Sequence, residues 1–237
     1  MDARTGASAT LRFRPGETDF PTSKMKEPTA IRLIAGLGNP GREYEQTRHN
    51  AGFMILDRVA PRLGAPWSTE KRFDGQLARS GSLLLLKPQT FMNLSGVSVA
   101  AVCRFFRLEP AEVLVVCDDV SLALGRLRIR LSGSAGGQNG LKSVIGCLGT
   151  QDFPRLRFGV GAPQFATLSD HVLGKFLPEE KPAVDKSLEN AADAVMMSAL
   201  RGLPAAMNHF NLSENKPNLT PQKGTKPPFD SGNEAQV

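Results

Sequence analysis

The run VLVVC at residues 113–117 is apolar at every position and leads straight into Asp118 and Asp119. A strand with one wet face alternates polar and apolar residues, so a run apolar on both faces must be covered on both. That demand, a helical layer above and below a sheet, constrains the chain more than any other segment does. The flanking sequence supplies the layers by alternating strand and helix patterns. Ile31–Ala35 reads as a strand and Asn50–Leu63 as mostly helix. Phe73–Arg79 and Ser82–Lys87 read as a strand pair around Ser80-Gly81. Ser95–Phe106 is a helix with Ser95 as its cap and Val99, Val102, Cys103 and Phe106 on one face. Gly125–Leu131 and Arg155–Gly161 alternate as strands, Asn139–Leu148 is helical, and Pro178–Leu200 and Pro204–Phe210 are helices. The expectation is an α/β fold: a single three-layer domain with a mixed central β-sheet flanked by helices.

The ends differ in composition. Residues 1–30 are rich in Thr, Ser, Gly and Pro, and 213–237 are rich in Pro and poor in apolar residues. Neither stretch buries enough apolar surface to offset ordering, so both are expected to be disordered around a domain at 31–212. Arg4, Arg12 and Arg14 give the N-terminus some transit-peptide character, which Asp2, Glu17 and Asp19 oppose. Translation from Met25 is an open alternative. No apolar run approaches the ~20 residues a membrane helix needs. Cys103, Cys117 and Cys147 all lie in apolar segments without metal-ligand spacing, which predicts buried thiols in a reducing cytoplasm.

The segment IRLIAGLGNPGREYEQTRHN carries Gly36, Gly38 and Gly41 in the pattern G-x-G-x-x-G, with Asp57 downstream where a dinucleotide site would place a carboxylate. The context opposes that reading. No second strand precedes Asp57, which instead sits on a helical stretch where Phe53, Leu56, Val59, Ala60 and Leu63 recur at helical spacing. Pro40 also removes a backbone donor where a pyrophosphate would need one.

The formal net charge of +6 favours an anionic partner. In GRLRIRL the alternation places Arg126, Arg128 and Arg130 opposite Leu127, Ile129 and Leu131. In RLRFGVG it sets Arg155 and Arg157 opposite Leu156, Phe158 and Val160. The bland alternative is a solvated face. The intervening GSAGGQNGLKS, whose glycines let a backbone approach a ligand closely, favours a nucleic-acid phosphate surface.

His49 stands at a loop-to-helix junction between Arg48 and Asn50, and needs an orienting carboxylate to act as a general base. Asp118 and Asp119 emerge at the C-terminal end of the buried strand, where open α/β sheets place their sites. No further His or carboxylate cluster follows at ligand spacing, so no metal is expected. His171 and His209 read as structural. Asn39, Asn93 and Asn139 lie in glycine-rich or loop settings and offer uncharged donors and acceptors suited to an amide or ester. Neither a G-x-S-x-G nor a cysteine beside a base suggests covalent catalysis.

Taken together, GLGNPGREYEQTRHNAGF, LLKPQTFMNLSG, VLVVCDDVSLALG, GSAGGQNGLKS, FPRLRFGVG and VLGKF resemble the bacterial-type peptidyl-tRNA hydrolase family over essentially Ile31 to Asn211. The resemblance implies hydrolysis of the ester between a peptide and the 3′ ribose of tRNA, without metal or cofactor, by a monomer. His49 would activate the water, Asp118 would orient His49, and Asn39 and Asn93 would position water and carbonyl. Tyr44, Phe91, Met92 and Asn139 would line the substrate groove. Arg128, Arg130, Lys142 and Arg157 match positions that face tRNA phosphates. The chain departs from the family pattern at Ser121-Leu122-Ala123, which lacks a proline expected to stiffen the loop. It departs again at Gln138, where the family usually carries His. The resemblance leaves one alternative: a non-catalytic relative that acts as an organellar group II intron splicing factor.

Overall fold

The computed structural model describes residues 30–163 and 167–211 of the 237-residue chain. The expected disordered ends fall almost wholly outside those residues. In chain order the elements are β1 (Leu33–Gly36), α1 (Ala51–Arg62), β2 (Ser68–Glu70), β3 (Gly75–Ser80), β4 (Leu83–Pro88), α2 (Ser95–Phe106) and β5 (Val113–Asp119). There follow β6 (Leu127–Arg130), α3 (Asn139–Leu148), β7 (Arg155–Gly159), α4 (Leu168–Leu173), α5 (Lys181–Leu200) and α6 (Leu203–Phe210).

The described residues form one seven-stranded sheet in the order β2-β3-β4-β1-β5-β7-β6. Its centre is parallel, with β1 between β4 and β5 and with β7 beside β5. Both edges are antiparallel, through β2 and β3 on one side and β6 on the other. Every residue of β5 is buried, as its composition demands. Side-chain alternation splits the core into two layers. Ile34, Leu114, Val116, Leu156 and Phe158 pack under α1, α5 and α6, while Leu33, Ala35, Val113, Val115 and Cys117 pack under α2 and α3. The fold is therefore the three-layer α/β arrangement with a mixed sheet.

Several local expectations are corrected. Ser95 does not cap α2; Leu94 holds that position, and Ser95 Oγ donates to the Met92 carbonyl at 2.9 Å. Helix α5 starts at Lys181, because Leu177–Glu180 form a turn in which Glu180 accepts from the Leu177 N–H at 2.7 Å. Leu131 does not join the inward face: β6 ends where Arg130 pairs with Arg155, the first residue of β7, and Leu131 is exposed. Cys103 and Cys117 are buried, but Cys147 is exposed. The short elements β2 and α4 carry too few residues to announce a period.

The opening glycines serve packing. A Cβ on Gly36 would lie 2.5 Å from the carbonyl oxygen of Gly52, so the start of α1 approaches β1 backbone to backbone. Gly41 turns the chain with φ 109°. The loop between them carries Asn39.

Candidate active site

The parallel neighbours β1 and β5 end side by side, and the chain leaving each carries a polar side chain into the same cleft. From β5 comes Asp118, the next-to-last residue of a fully buried strand. Beyond β1 comes Asn39. The third contributor is His49, on the 3-10 turn Arg48–Asn50 that opens α1. His49 Nδ1 lies 2.9 Å from Asp118 Oδ2, with their side chains only 11% and 3% exposed. A carboxylate can only accept, so Nδ1 carries the hydrogen of this bond, and in the neutral ring the lone pair is then on Nε2.

The turn bearing His49 is held from several sides. Arg48 is buried, forms an ion pair with Glu180 at 2.6 Å, bonds to the Lys175 carbonyl and lies over the Phe176 ring. Its backbone N–H donates to the Gly174 carbonyl at 3.0 Å. Asn39 is held just as closely. Its N–H donates to Asn50 Oδ1 at 2.8 Å, and its carbonyl accepts from Asn50 Nδ2 at 2.9 Å. Its own Oδ1 accepts the Met92 N–H at 2.7 Å. That last bond fixes which end of the carboxamide is oxygen and leaves the Nδ2 hydrogens as the donors for a ligand.

The cleft has a volume of about 620 Å³. His49, Asp118, Asn39, Tyr44, Phe91, Met92, Asn93, Asn139 and Arg157 all line it. Its rim is apolar on one side: Tyr44 and Phe91 meet edge to face at 6.4 Å, and Leu168, Val172 and Leu173 of α4 stand among the lining residues. Arg128, Arg130 and Lys142 are not among them. Arg128 lies directly across from Arg157 in the β6–β7 ladder and Arg130 across from Arg155. Arg130 and Lys142 are exposed and Arg128 is half-buried. Among the described residues, no group of three or more His, Cys, Asp or Glu side chains is placed to hold a metal ion.

Of the two arginines on β7, Arg155 departs from the expected phosphate face. Arg155 is fully buried and donates to the carbonyls of Gly133, Gln151 and Phe153. Burial, then the neighbouring Arg157, push its pKa below the ordinary arginine value. Arg157 is itself mostly enclosed: Nη1 pairs with Asp119 Oδ2 at 3.0 Å, and Nη2 donates to the Ser134 carbonyl at 2.8 Å. It braces the glycine-rich loop against β5 while still lining the cleft.

The loop after Asp119 also differs from expectation. The Ser121 N–H donates to Asp119 Oδ1 at 2.8 Å, Leu122 is buried, and its carbonyl accepts the Gly161 N–H at 3.1 Å. Ser121-Leu122-Ala123 is therefore tied down without a proline.

A match to the model of the peptidyl-tRNA hydrolase family covers residues 33–219. The chain belongs to the peptidyl-tRNA hydrolase family. It is 50% identical to a peptidyl-tRNA hydrolase of Akkermansia muciniphila over 182 residues, covering 76% of this chain and 96% of that one. A peptidyl-tRNA hydrolase of Synechococcus sp. strain JA-3-3Ab is 53% identical over 190 residues, covering 78% and 84%. The crystal structure of the peptidyl-tRNA hydrolase from Acinetobacter baumannii superposes with a TM-score of 0.73 at 36% identity, covering 78% of this chain and 97% of that one.

Sequence reading missed several residues of this peptidyl-tRNA hydrolase site. Asn50 was seen only as a neighbour of His49, although it holds Asn39 at both backbone atoms. The Asp119–Arg157 pair was not foreseen. Gln138 departs from the family's usual His. Its Nε2 donates to Asp118 Oδ1 at 3.0 Å, a contact that no local pattern announces.

Proposed function

We propose that this chain hydrolyses the ester between a peptide and the 3′ ribose of tRNA, with His49 as general base. The observation that carries the reading is the buried His49–Asp118 pair opening onto a cleft that Asn39 and Asn93 share. Asp118 keeps the imidazole in the tautomer whose Nε2 accepts a proton. A water held against Nε2 loses that proton as its oxygen attacks the ester carbonyl. Asn39 Nδ2 donates to the oxygen on which negative charge develops, and Asn93 holds the substrate beside it. Collapse breaks the bond to the ribose 3′ oxygen, which takes the proton back from the imidazolium. Peptide carboxylate and free tRNA leave.

Binding divides between surfaces. Tyr44, Phe91, Met92 and the exposed apolar residues of α4 suit a peptide of varied sequence, since apolar contact reads no single side chain. Asn139 sits beside them at the start of α3. Arg128, Arg130 and Lys142 suit RNA phosphates. This scheme needs no metal or cofactor, and the protein works as a cytoplasmic monomer. No helix of the described residues is long and apolar enough to cross a membrane. The splicing-factor alternative finds no support among the relatives, which carry the hydrolase name.

The deciding experiment is turnover of an N-blocked aminoacyl-tRNA in EDTA by wild type and His49→Ala. Loss of at least ~100-fold with tRNA affinity retained is the expected result for a positioned general base. Undiminished turnover by the variant would remove His49 from the chemistry.

A further inference from the structure

Asp118 uses both carboxylate oxygens inside the protein. Oδ2 meets His49 Nδ1 at 2.9 Å, and Oδ1 accepts from Gln138 Nε2 at 3.0 Å. The other end of the Gln138 amide is also engaged: Oε1 accepts the Leu141 N–H at 2.7 Å, which makes Gln138 the N-cap of α3. A flipped amide would set oxygen against carboxylate and NH2 against N–H. The helix cap therefore dictates that a donor, never an acceptor, faces Asp118. The Met92 sulfur, 3.3 Å from Nε2, closes the remaining side.

We propose that Gln138 is a positioning residue for hydrolysis: anchored by α3, its amide fixes the Asp118 carboxylate and, through it, the direction of the His49 imidazole. The proposal rests on the reading of His49 as base. Its consequence is that the rigid N-terminus of a helix, not the glycine-rich loop before it, sets the aim of the base. An apolar or a charge-reversed neighbour would leave Asp118 free to rotate about its last torsion and share His49 with solvent.

The test compares Gln138→Glu with Gln138→Met on N-blocked aminoacyl-tRNA, alongside His49→Ala. Gln138→Glu keeps the length and the acceptor that caps α3, but faces Asp118 with a second carboxylate. A role confined to capping would leave it fully active. The proposal expects kcat to fall about 10- to 100-fold with KM within about twofold, the scale for losing an outer hydrogen bond that orients a working side chain. The ratio of its rate to wild type should rise as pH falls, because a protonated glutamic acid can donate to Asp118 where the amide did. The charged and titratable groups around the pair, His49, Asp118, Asp119 and Arg157, are common to both proteins, and because the added carboxylate also acts on His49, the full pH profile of each protein is fitted before the ratio is taken. Gln138→Met, which loses donor and cap together, should lose both kcat and some thermal stability. Wild-type kcat in Gln138→Glu, or in a folded Gln138→Met, would overturn the proposal while leaving the hydrolase reading intact. Full turnover by His49→Ala would overturn both.

Discussion

His49 Nδ1 and Asp118 Oδ2 stand 2.9 Å apart, and Asp118 Oδ1 is already taken by Gln138 Nε2. The arrangement makes Asp118→Asn more damaging than a simple loss of charge. Gln138 donates, so it draws the new amide's oxygen to itself and leaves the amide nitrogen facing His49. The imidazole must then accept at Nδ1 and carry its hydrogen on Nε2, where a base needs a lone pair. We expect kcat to fall ~10,000-fold, the scale of the same exchange in a serine-protease triad, with little change in tRNA affinity. Steady-state turnover and filter binding check this, and a loss below about tenfold would show that the tautomer does not matter.

Asn50 makes a second prediction, because it bonds the backbone N–H and carbonyl of Asn39 at 2.8 and 2.9 Å. Asn50→Ala leaves both groups without partners in a buried wall. Stability should drop by about 1–3 kcal/mol, the usual penalty for a buried group left unsatisfied. Turnover of the folded fraction should fall too, since the Asn39 amide loses its fixed backbone. Urea denaturation and kcat measured on the same preparation separate the two effects.

Thiol chemistry offers a third. Cys147 is exposed, Cys103 is buried with its pKa pushed up to about 11 by desolvation, and burial pushes Cys117 higher still. The thiolate is the reactive form, so Cys103 and Cys117 are unreactive at neutral pH. A disulfide reagent should modify Cys147 alone in the native protein and all three thiols after unfolding. Prompt native labelling at Cys103 or Cys117 would mean that the core opens far more readily than its packing implies.

Period and burial made most of this architecture legible from the residues. The apolar run at 113–117 required cover on both faces, and the two core layers lie on either side of it. His49, Asp118 and Asn39 each stood out as polar residues at the edge of a strong local pattern. What stayed hidden depends on distant parts of the chain. Alternation correctly placed Arg155 and Arg157 on one face, but whether that face is wet depends on the loop at Gly133 and Ser134 folding over it. Gly36 fits a G-x-G-x-x-G pattern that its context opposes, and only the packing of α1 on β1 shows that the glycine meets Gly52. Gln138 looked like a lost histidine, and only the tertiary placement of α3 shows that its amide meets Asp118.

The arginines give the last prediction: Arg155 and Arg157 hold the fold, and the proposed RNA surface rests on their cross-strand neighbours Arg130 and Arg128. Arg130 is exposed and Arg128 is half-buried; across the ladder, Arg155 bonds to backbone carbonyls and Arg157 pairs with Asp119. Each phosphate contact releases counterions, so Arg128→Ala with Arg130→Ala should weaken tRNA binding and flatten the log–log salt slope by about one unit per lost contact. Arg155→Met should behave differently. Its guanidinium satisfies several buried carbonyls, so stability should fall by about 1–3 kcal/mol or more, with the salt slope of the folded protein unchanged. Binding titrations across a salt series, paired with thermal melts, test both. An unchanged slope in the Arg128, Arg130 double variant would make that strand a solvated face and move the RNA surface elsewhere. A flattened slope in Arg155→Met would mean that the buried arginine reaches phosphate after all.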